Sequence, residues 1–565
     1  MVEMKDKDKI YFAETDFRGQ KTPFGIKLDD RARHVYVIGK TGMGKSTTLE
    51  NMAIQDIQNG HGLAFIDPHG STAEKLLDYV PPERVKDVIY FAPFDLDHPI
   101  SFNVMEDVGK DQRHLVVSGL MSAFKKIWVD AWSARMEYIL TNILLALLEY
   151  PGSTLLGVNR MLADRDYRKK VVDNITDPGV RAFWVDEFAK YTERFAAEAT
   201  PAIQNKVGQF TSNPLIRNII GQAKSSLNFR QIMDGQKILI VNLSKGRMGE
   251  SNANLLGSML ITKLYLTAMS RAGAAPEEMR RLPPFYLFVD EFQSFANESF
   301  ANILSEARKY KLSLTMAHQY IEQMSEEVRA AVFGNVGTII VFRVGPFDAE
   351  VLEKIFAPTF TQEDIVNLGF AQIYLTLMID GVGSPPFSAV TLAPIPLLQE
   401  SNKEKIIVHG RESYAEDREV VEKKIVAWHE SEKPTSPRAA TAVPPPRSVN
   451  PAPSRASAVP PPVVVRPASS SPNGLAAVRT IGATVSLNEL RNKPSGTQIR
   501  QEAKMGSSNQ NKEALKASLQ KVLSQVPPTS NVFTPAPPAV ADRANQKEVS
   551  REELEKMIAV PDLKL

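Results

Sequence analysis

The sequence predicts an α/β fold on a mainly parallel sheet covered on both faces, and three observations predict it. Short runs dominated by Val, Ile, Leu and Phe recur between turn residues and helical stretches, without the strict alternation of a sheet that has one wet face. A glycine-rich loop joins the first of these runs to a helical stretch. The third and fourth runs are separated by residues 107–235, far more than an ordinary strand-to-strand crossover needs, so something is inserted there.

The candidate strands are 34–38, 63–66, 88–91, 238–242, 285–289, 312–317, 338–342 and 373–378. Within the insert Ile139, Ile143, Leu144, Leu147 and Leu148 fall at helical spacing, proline is sparse and no alternating run appears, so an all-helical segment is predicted. Trp128, Trp132 and Trp184 lie in it and are read as core packing rather than base-stacking residues. The expected division is 1–106, with N-terminal strands and the first part of the α/β core; 107–235, the all-α insertion; 236–430, the second part of the core; and 431–565, a tail.

That tail holds 19 of the 38 prolines and one aromatic residue, Phe533, so it cannot bury enough apolar surface to offset the entropy of ordering. It is predicted to be disordered. Its 18 Lys/Arg against 10 Asp/Glu make it +8, which leaves −6 on the rest of a chain whose total is +2. Ser486 with Glu489, Ser550 with Glu553, and the series Leu515, Leu519, Leu523 and Val526 mark three short candidate helices, read either as partner-docking segments or as transient structure.

Composition excludes several classes. The 565 residues contain no cysteine, which removes disulfides, thiolate metal sites and cysteine nucleophiles and suits a reducing compartment. No apolar run approaches the ~20 residues needed to cross a bilayer, and the N-terminal MVEMKDKDK has no apolar signal core. The expected location is the cytoplasm.

The loop is Gly39, Lys40, Thr41, Gly42, Met43, Gly44, Lys45, Ser46 and Thr47, which satisfies G-x-x-x-x-G-K-[ST] between a strand and a helix. Glycines let backbone N–H groups wrap phosphates at a helix N-terminus whose partial positive charge favours anions. ATP and Mg²⁺ are therefore the expected ligands, with Lys45 bridging the β- and γ-phosphates and the Ser46 hydroxyl on the metal. The run Tyr286-Leu287-Phe288-Val289 leads into Asp290-Glu291, as a buried strand would deliver two carboxylates to the edge where the loop sits. Asp290 is expected to hold Mg²⁺, and Glu291 to orient and deprotonate the attacking water. Gln319, just past the strand 312–317, is placed either to contact the γ-phosphate or lytic water or to cap a loop. Arg308 flanks a helix whose apolar face is Phe300, Ile303, Leu304 and Ala307; on the residues alone it reads as a solvated arginine. Asp67-Pro68-His69-Gly70 reads as a turn with polar support rather than a metal pair.

As a set these motifs resemble the HerA and FtsK group of ring ATPases and, within it, the TraG/TraD-like coupling proteins of type IV secretion and conjugation. The matching residues are 39–46, the run IDPHG at 66–70, LFVDEF at 287–292, EARKYK at 306–311 and AHQ at 317–319. The resemblance covers about residues 10–400 and implies a RecA-like core, assembly as a hexameric ring, and translocation of DNA through its channel. It also implies that Gln319 is a γ-phosphate sensor and Arg308 an arginine finger acting on a neighbouring subunit. Coupling proteins usually carry an N-terminal membrane anchor. None is visible in the 38 residues before Gly39, so recruitment to the inner membrane is expected to run through secretion partners. A nucleotide-gated scaffold that recruits partners through its tail, and an ATPase that moves protein substrates, remain alternative readings.

Overall fold

The computed structural model describes residues 7–430 apart from 18, 107, 108, 193 and 196–198; the tail and its three candidate helices lie outside the described residues. Strands β1 (Lys9–Phe17), β2 (Gln20–Lys27), β3 (Val35–Ile38), β4 (Gly62–Asp67), β5 (Val88–Phe91), β6 (Ile238–Asn242), β7 (Phe285–Val289), β8 (Leu312–His318), β9 (Thr338–Val341) and β10 (Gln372–Thr376) are followed by the two-residue pair β11 (Met378–Ile379) and β12 (Val382–Gly383), and by β13 (Phe387–Thr391). Eleven of these form one sheet in the order β2-β1-β13-β10-β9-β3-β8-β7-β4-β6-β5. The seven from β9 to β5 are parallel, and β10, β13, β1 and β2 extend one side antiparallel. This is the predicted α/β class with a mainly parallel sheet.

The continuous apolar runs are explained by where their side chains go. Along β3, Tyr36 and Ile38 enter one hydrophobic core and Val35 and Val37 the other; along β7, Phe285, Leu287 and Val289 face the first and Tyr286 and Phe288 the second. Period-two geometry with both faces covered demands apolar residues at every position. All eight predicted strands form, with shifts at some of their ends, Phe342 falling outside β9 among them. His34 stands outside β3 at φ +64°, and the last predicted run breaks after Thr376 so that Met378 joins the small hairpin β11–β12.

Among the described residues the elements between β5 and β6 are all helices, and their core is continuous with one face of the sheet. The helix Ala134–Glu149 buries Ile139, Ile143, Leu144, Leu147 and Leu148. Ser133 starts it by accepting a hydrogen bond from the Met136 amide, an arrangement whose loss costs ~1 kcal/mol, and Pro151 ends it by disfavouring helical backbone at Tyr150. Trp128 and Trp184 are buried and Trp132 packs partly against the same core, as expected for packing residues. Among the described residues no helix is long and apolar enough to cross a membrane.

Candidate functional site

In parallel sheets, ligand sites collect beyond the carboxyl ends of the strands. Here the segments leaving β3, β4, β7 and β8 converge there. The loop 39–44 leaves β3 and opens the helix Lys45–Asn59. Two geometric demands explain its glycines. A Cβ on Gly39 would lie 2.5 Å from Phe342 Cβ, and Gly44 caps the helix at φ +114°, where an L side chain is strained. The Lys45 ammonium is buried and donates to the carbonyls of Gly39 (2.6 Å) and Lys40 (3.1 Å). Burial lowers its pKa, against the opposing pull of Glu291 and Asp290.

Strand β7 delivers Asp290 and Glu291 to the same edge, 4% and 8% exposed. Ser46 Oγ donates to Asp290 Oδ2 at 3.4 Å. Burial, followed by the charges of Asp67 and Glu291, pushes the Asp290 carboxyl up to about 6. Glu291 sits at φ +48° and ψ +49°, a left-handed conformation uncommon for a residue with a side chain and typical of strained functional positions. Its Oε1 accepts from the Gln319 amide and its Oε2 from the Gln293 amide, and His69 Nε2 stands 3.8 Å from Oε1. Burial pushes Glu291 upward, but these neighbours and Lys45 outweigh it and bring the carboxyl down to about 2. Gln319 closes the ring, accepting from Thr41 Oγ1 at 3.1 Å. Loop, acidic pair and glutamine are thus one hydrogen-bonded cluster.

Asp67 takes the turn role read from the sequence, its two oxygens accepting from the amides of His69 (2.8 Å) and Ala73 (2.9 Å). Glu291 raises the His69 pKa. His69 belongs to the run 67–70 read from the sequence as a turn with polar support, whereas Gln293 was not singled out. The signal for Gln293 was its place two residues after Glu291, within reach only because Glu291 turns the chain through the left-handed region.

Arg308 is not brought to this cluster. It is exposed on the turn Ala307–Tyr310, which leads into the start of β8, and its charge acts on His34 at the start of β3. Those are the amino ends of strands whose carboxyl ends carry the cluster, about 20 Å of strand away at ~3.3 Å per residue.

The donor set fits a magnesium ion. Among the described residues no three His, Cys, Asp or Glu side chains cluster into a metal cage, and Ser46 with Asp290 offers one hydroxyl and one carboxylate. Mg²⁺ is commonly held by such a sparse set, with phosphate oxygens and water supplying the rest.

The sequence profile of the family described as type IV secretory system conjugative DNA transfer matches residues 2–335. Comparison by sequence with curated proteins returned no match. Among solved structures, the plasmid coupling protein TrwB in complex with ADP and Mg²⁺ aligns at TM-score 0.51 and 16% identity, over 69% of this chain and 92% of that one. The unbound bacterial conjugative coupling protein TrwBdeltaN70 aligns at 0.50 and 14%, over 66% and 88%. VirB4 of Thermoanaerobacter pseudethanolicus aligns at 0.45 and 14%, over 69% and 97%.

Proposed function

The chain belongs to the type IV secretory system conjugative DNA transfer family, and from that premise we propose that it is a Mg²⁺-dependent ATPase that translocates DNA as a homo-hexameric ring. The observation that carries this reading is the single cluster at the sheet edge, in which Lys45, Ser46, Asp290, Glu291 and Gln319 meet.

Backbone N–H groups of residues 39–47 cradle the phosphates of ATP, and Lys45 exchanges its carbonyl partners for the β- and γ-phosphates. Ser46 and Asp290 hold Mg²⁺, which when bound neutralises charge on the phosphate oxygens. Its presence would also return Asp290 to the ionised form that crowding opposes. Glu291 orients the attacking water. Its carboxyl, which the neighbouring amides, His69 and Lys45 bring down to about 2 in the arrangement seen here, is also the group that takes the water's proton in this reading. The Gln319 amide carries two N–H donors, of which one serves Glu291 and the other is available to a γ-phosphate. Arg308, remote from the cluster of its own chain, acts on the site of a neighbouring copy.

Residues 1–106 and 236–430 form the ATPase core, 107–235 the all-α insertion, and the basic tail 431–565 binds nucleic acid or docks partners. The protein works in the cytoplasm, drawn to the inner membrane by secretion components. TrwB solved with ADP and Mg²⁺ on a similar fold is consistent with this assignment.

The test is the ATP turnover rate with and without single- and double-stranded DNA, read beside particle mass. DNA stimulation that disappears in Lys45→Ala, in a particle of six chains, is the expected result. Basal turnover indifferent to every DNA form would favour a protein-moving ATPase, and no turnover at all a nucleotide-gated scaffold.

A further inference from the structure

The turn that carries Glu291 is held by a residue of the helical segment. Lys126, in the last turn of the helix Arg113–Ile127, donates its ammonium to the carbonyls of Gln293 and Ala296. The side-chain amide of that same Gln293 is bonded to Glu291. Other ties fix the frame around them: Lys245 Nζ to Ser294 Oγ at 3.0 Å, and Ser299 Oγ to Ser122 Oγ at 2.8 Å, the latter again reaching the helix Arg113–Ile127.

The mounting of Lys126 is rigid. The Phe124 and Trp128 rings stack at 4.6 Å, and where the helix crosses Glu250–Met269 a Cβ on Gly119 would fall 2.4 Å from Thr262 Cγ2. The position is also electrostatically costly, since burial and the like charge of Lys245 press Lys126 down to about 8. A cation kept at such a place, against two backbone carbonyls rather than a carboxylate, is more than a generic surface contact.

We propose that Lys126 is a positioning residue that ties the helical segment to the turn bearing Glu291, so that movement of the helix Arg113–Ile127 alters the rate of ATP hydrolysis and not the affinity for nucleotide. This rests on the reading of Glu291 as the water-orienting group. It gives the helical segment a mechanical line to the chemistry: helix, Lys126, Gln293, Glu291.

The test uses the full chain carrying Lys126→Met, which keeps the apolar stem, and Lys126→Arg, which keeps the donors. Amide hydrogen exchange is followed in peptides covering 290–297 and 39–47, and steady-state ATP turnover is measured in parallel. In Lys126→Met, exchange is expected to rise at 290–297 and stay unchanged at 39–47. Its kcat falls on the order of 10- to 100-fold with KM for ATP little changed, and Lys126→Arg recovers part of both effects. Unchanged exchange at 290–297 overturns the proposal, as does faster exchange with unaltered kcat, or a loss confined to KM. A wild-type chain that hydrolyses no ATP overturns the ATPase reading first and this proposal with it, whereas an active wild type matched by Lys126→Met overturns this proposal alone. Should Lys126→Met not fold, Lys126→Gln, which keeps a donor and removes the charge, reads the same two changes at smaller amplitude.

Discussion

The two ends of the parallel strands treat buried charge in opposite ways. At the amino ends Arg31, Arg271, His34 and His61 are tied to carboxylates or backbone groups. Arg31 makes a two-pronged pair with Asp56 at 2.8 and 2.9 Å and lies 3.8 Å over the Tyr286 ring, while His61 adds a third contact to Asp56. Arg271 is shared between Asp234 and the Tyr310 carbonyl, and His34 uses both ring nitrogens, one on the Leu304 carbonyl and one on the Leu314 amide. At the carboxyl ends the charges of Asp67 and Glu291 bear on Asp290, and Lys45 lies within the pull of Glu291 and Asp290. Neutralised pairs fasten one edge of the sheet. The other edge keeps charges that only an incoming cation and phosphates would balance, and this difference is what marks it as the working edge.

Breaking the working edge should have the largest effect. Glu291→Gln keeps size and one of the two acceptor oxygens but loses the charge that aligns water, so ATP turnover should drop ~10²- to 10⁴-fold while nucleotide affinity is retained. Stopped-assay turnover beside calorimetric ATP binding checks this, and retained turnover would remove Glu291 from its role. Breaking the fastening edge should act on stability instead. Asp56→Ala leaves Arg31 buried without its carboxylate, and an uncompensated buried charge costs ~3–5 kcal/mol, to be read as a lower denaturant midpoint. If that variant lost turnover without losing stability, the division between the two edges would be wrong.

The working edge was far more legible in the sequence than the fastening edge. A phosphate loop announces itself because its chemistry demands glycines and a lysine at fixed spacing within one short segment, and Asp290-Glu291 because they end a run of apolar residues. The pair Arg31–Asp56 joins residues on different elements and carries no local pattern. The strands split the same way. The parallel ones, buried on both faces, stand out as apolar runs, whereas β2 contains Pro23 and Gly25 among polar residues, and β13 is five residues long with an exposed Ser388. Sheet extension on the antiparallel side depends on pairing with distant chain, as β1 does with β13, and so was fixed by tertiary contact. Gln293 and Lys126 escaped notice for a related reason. Their place at the cluster follows from the left-handed turn at Glu291 and from helix packing, neither of which leaves a spacing to read.

The smallest effect lies in how the buried histidines and Asp290 respond to protons, His34 at the amino end of β3 and His318 at the carboxyl end of β8 beside the cluster. His34 and His318, lowered by burial to about 4 and about 3, stay neutral in the folded chain over a range where an unfolded histidine near 6.5 is charged. The unfolded chain binds more protons there, so their contribution is intact above about pH 6.5 and is lost as pH falls toward 4, at ~1.4 kcal/mol per pH unit for each. Asp290 runs the other way. Raised to about 6, it keeps a proton in the folded chain where an unfolded aspartate near 3.9 has released it, so from about pH 4 to 6 it makes stability fall as pH rises. Among these three groups the balance is a loss of ~1.4 kcal/mol per unit on acidification between pH 6 and 4, in chelator without nucleotide. Asp290→Asn removes the opposing group while its Oδ1 can still accept the Glu291 amide now bonded at 3.0 Å. The acid slope should then steepen by ~1.4 kcal/mol per unit, and at pH 7 the variant should exceed the wild type in stability by ~3 kcal/mol although it can no longer hold a metal. Denaturation midpoints across pH decide it: an Asn variant no more stable than the parent would mean that the carboxylates at this edge are already balanced, and that the contrast with the amino ends of the strands is one of geometry and not of charge.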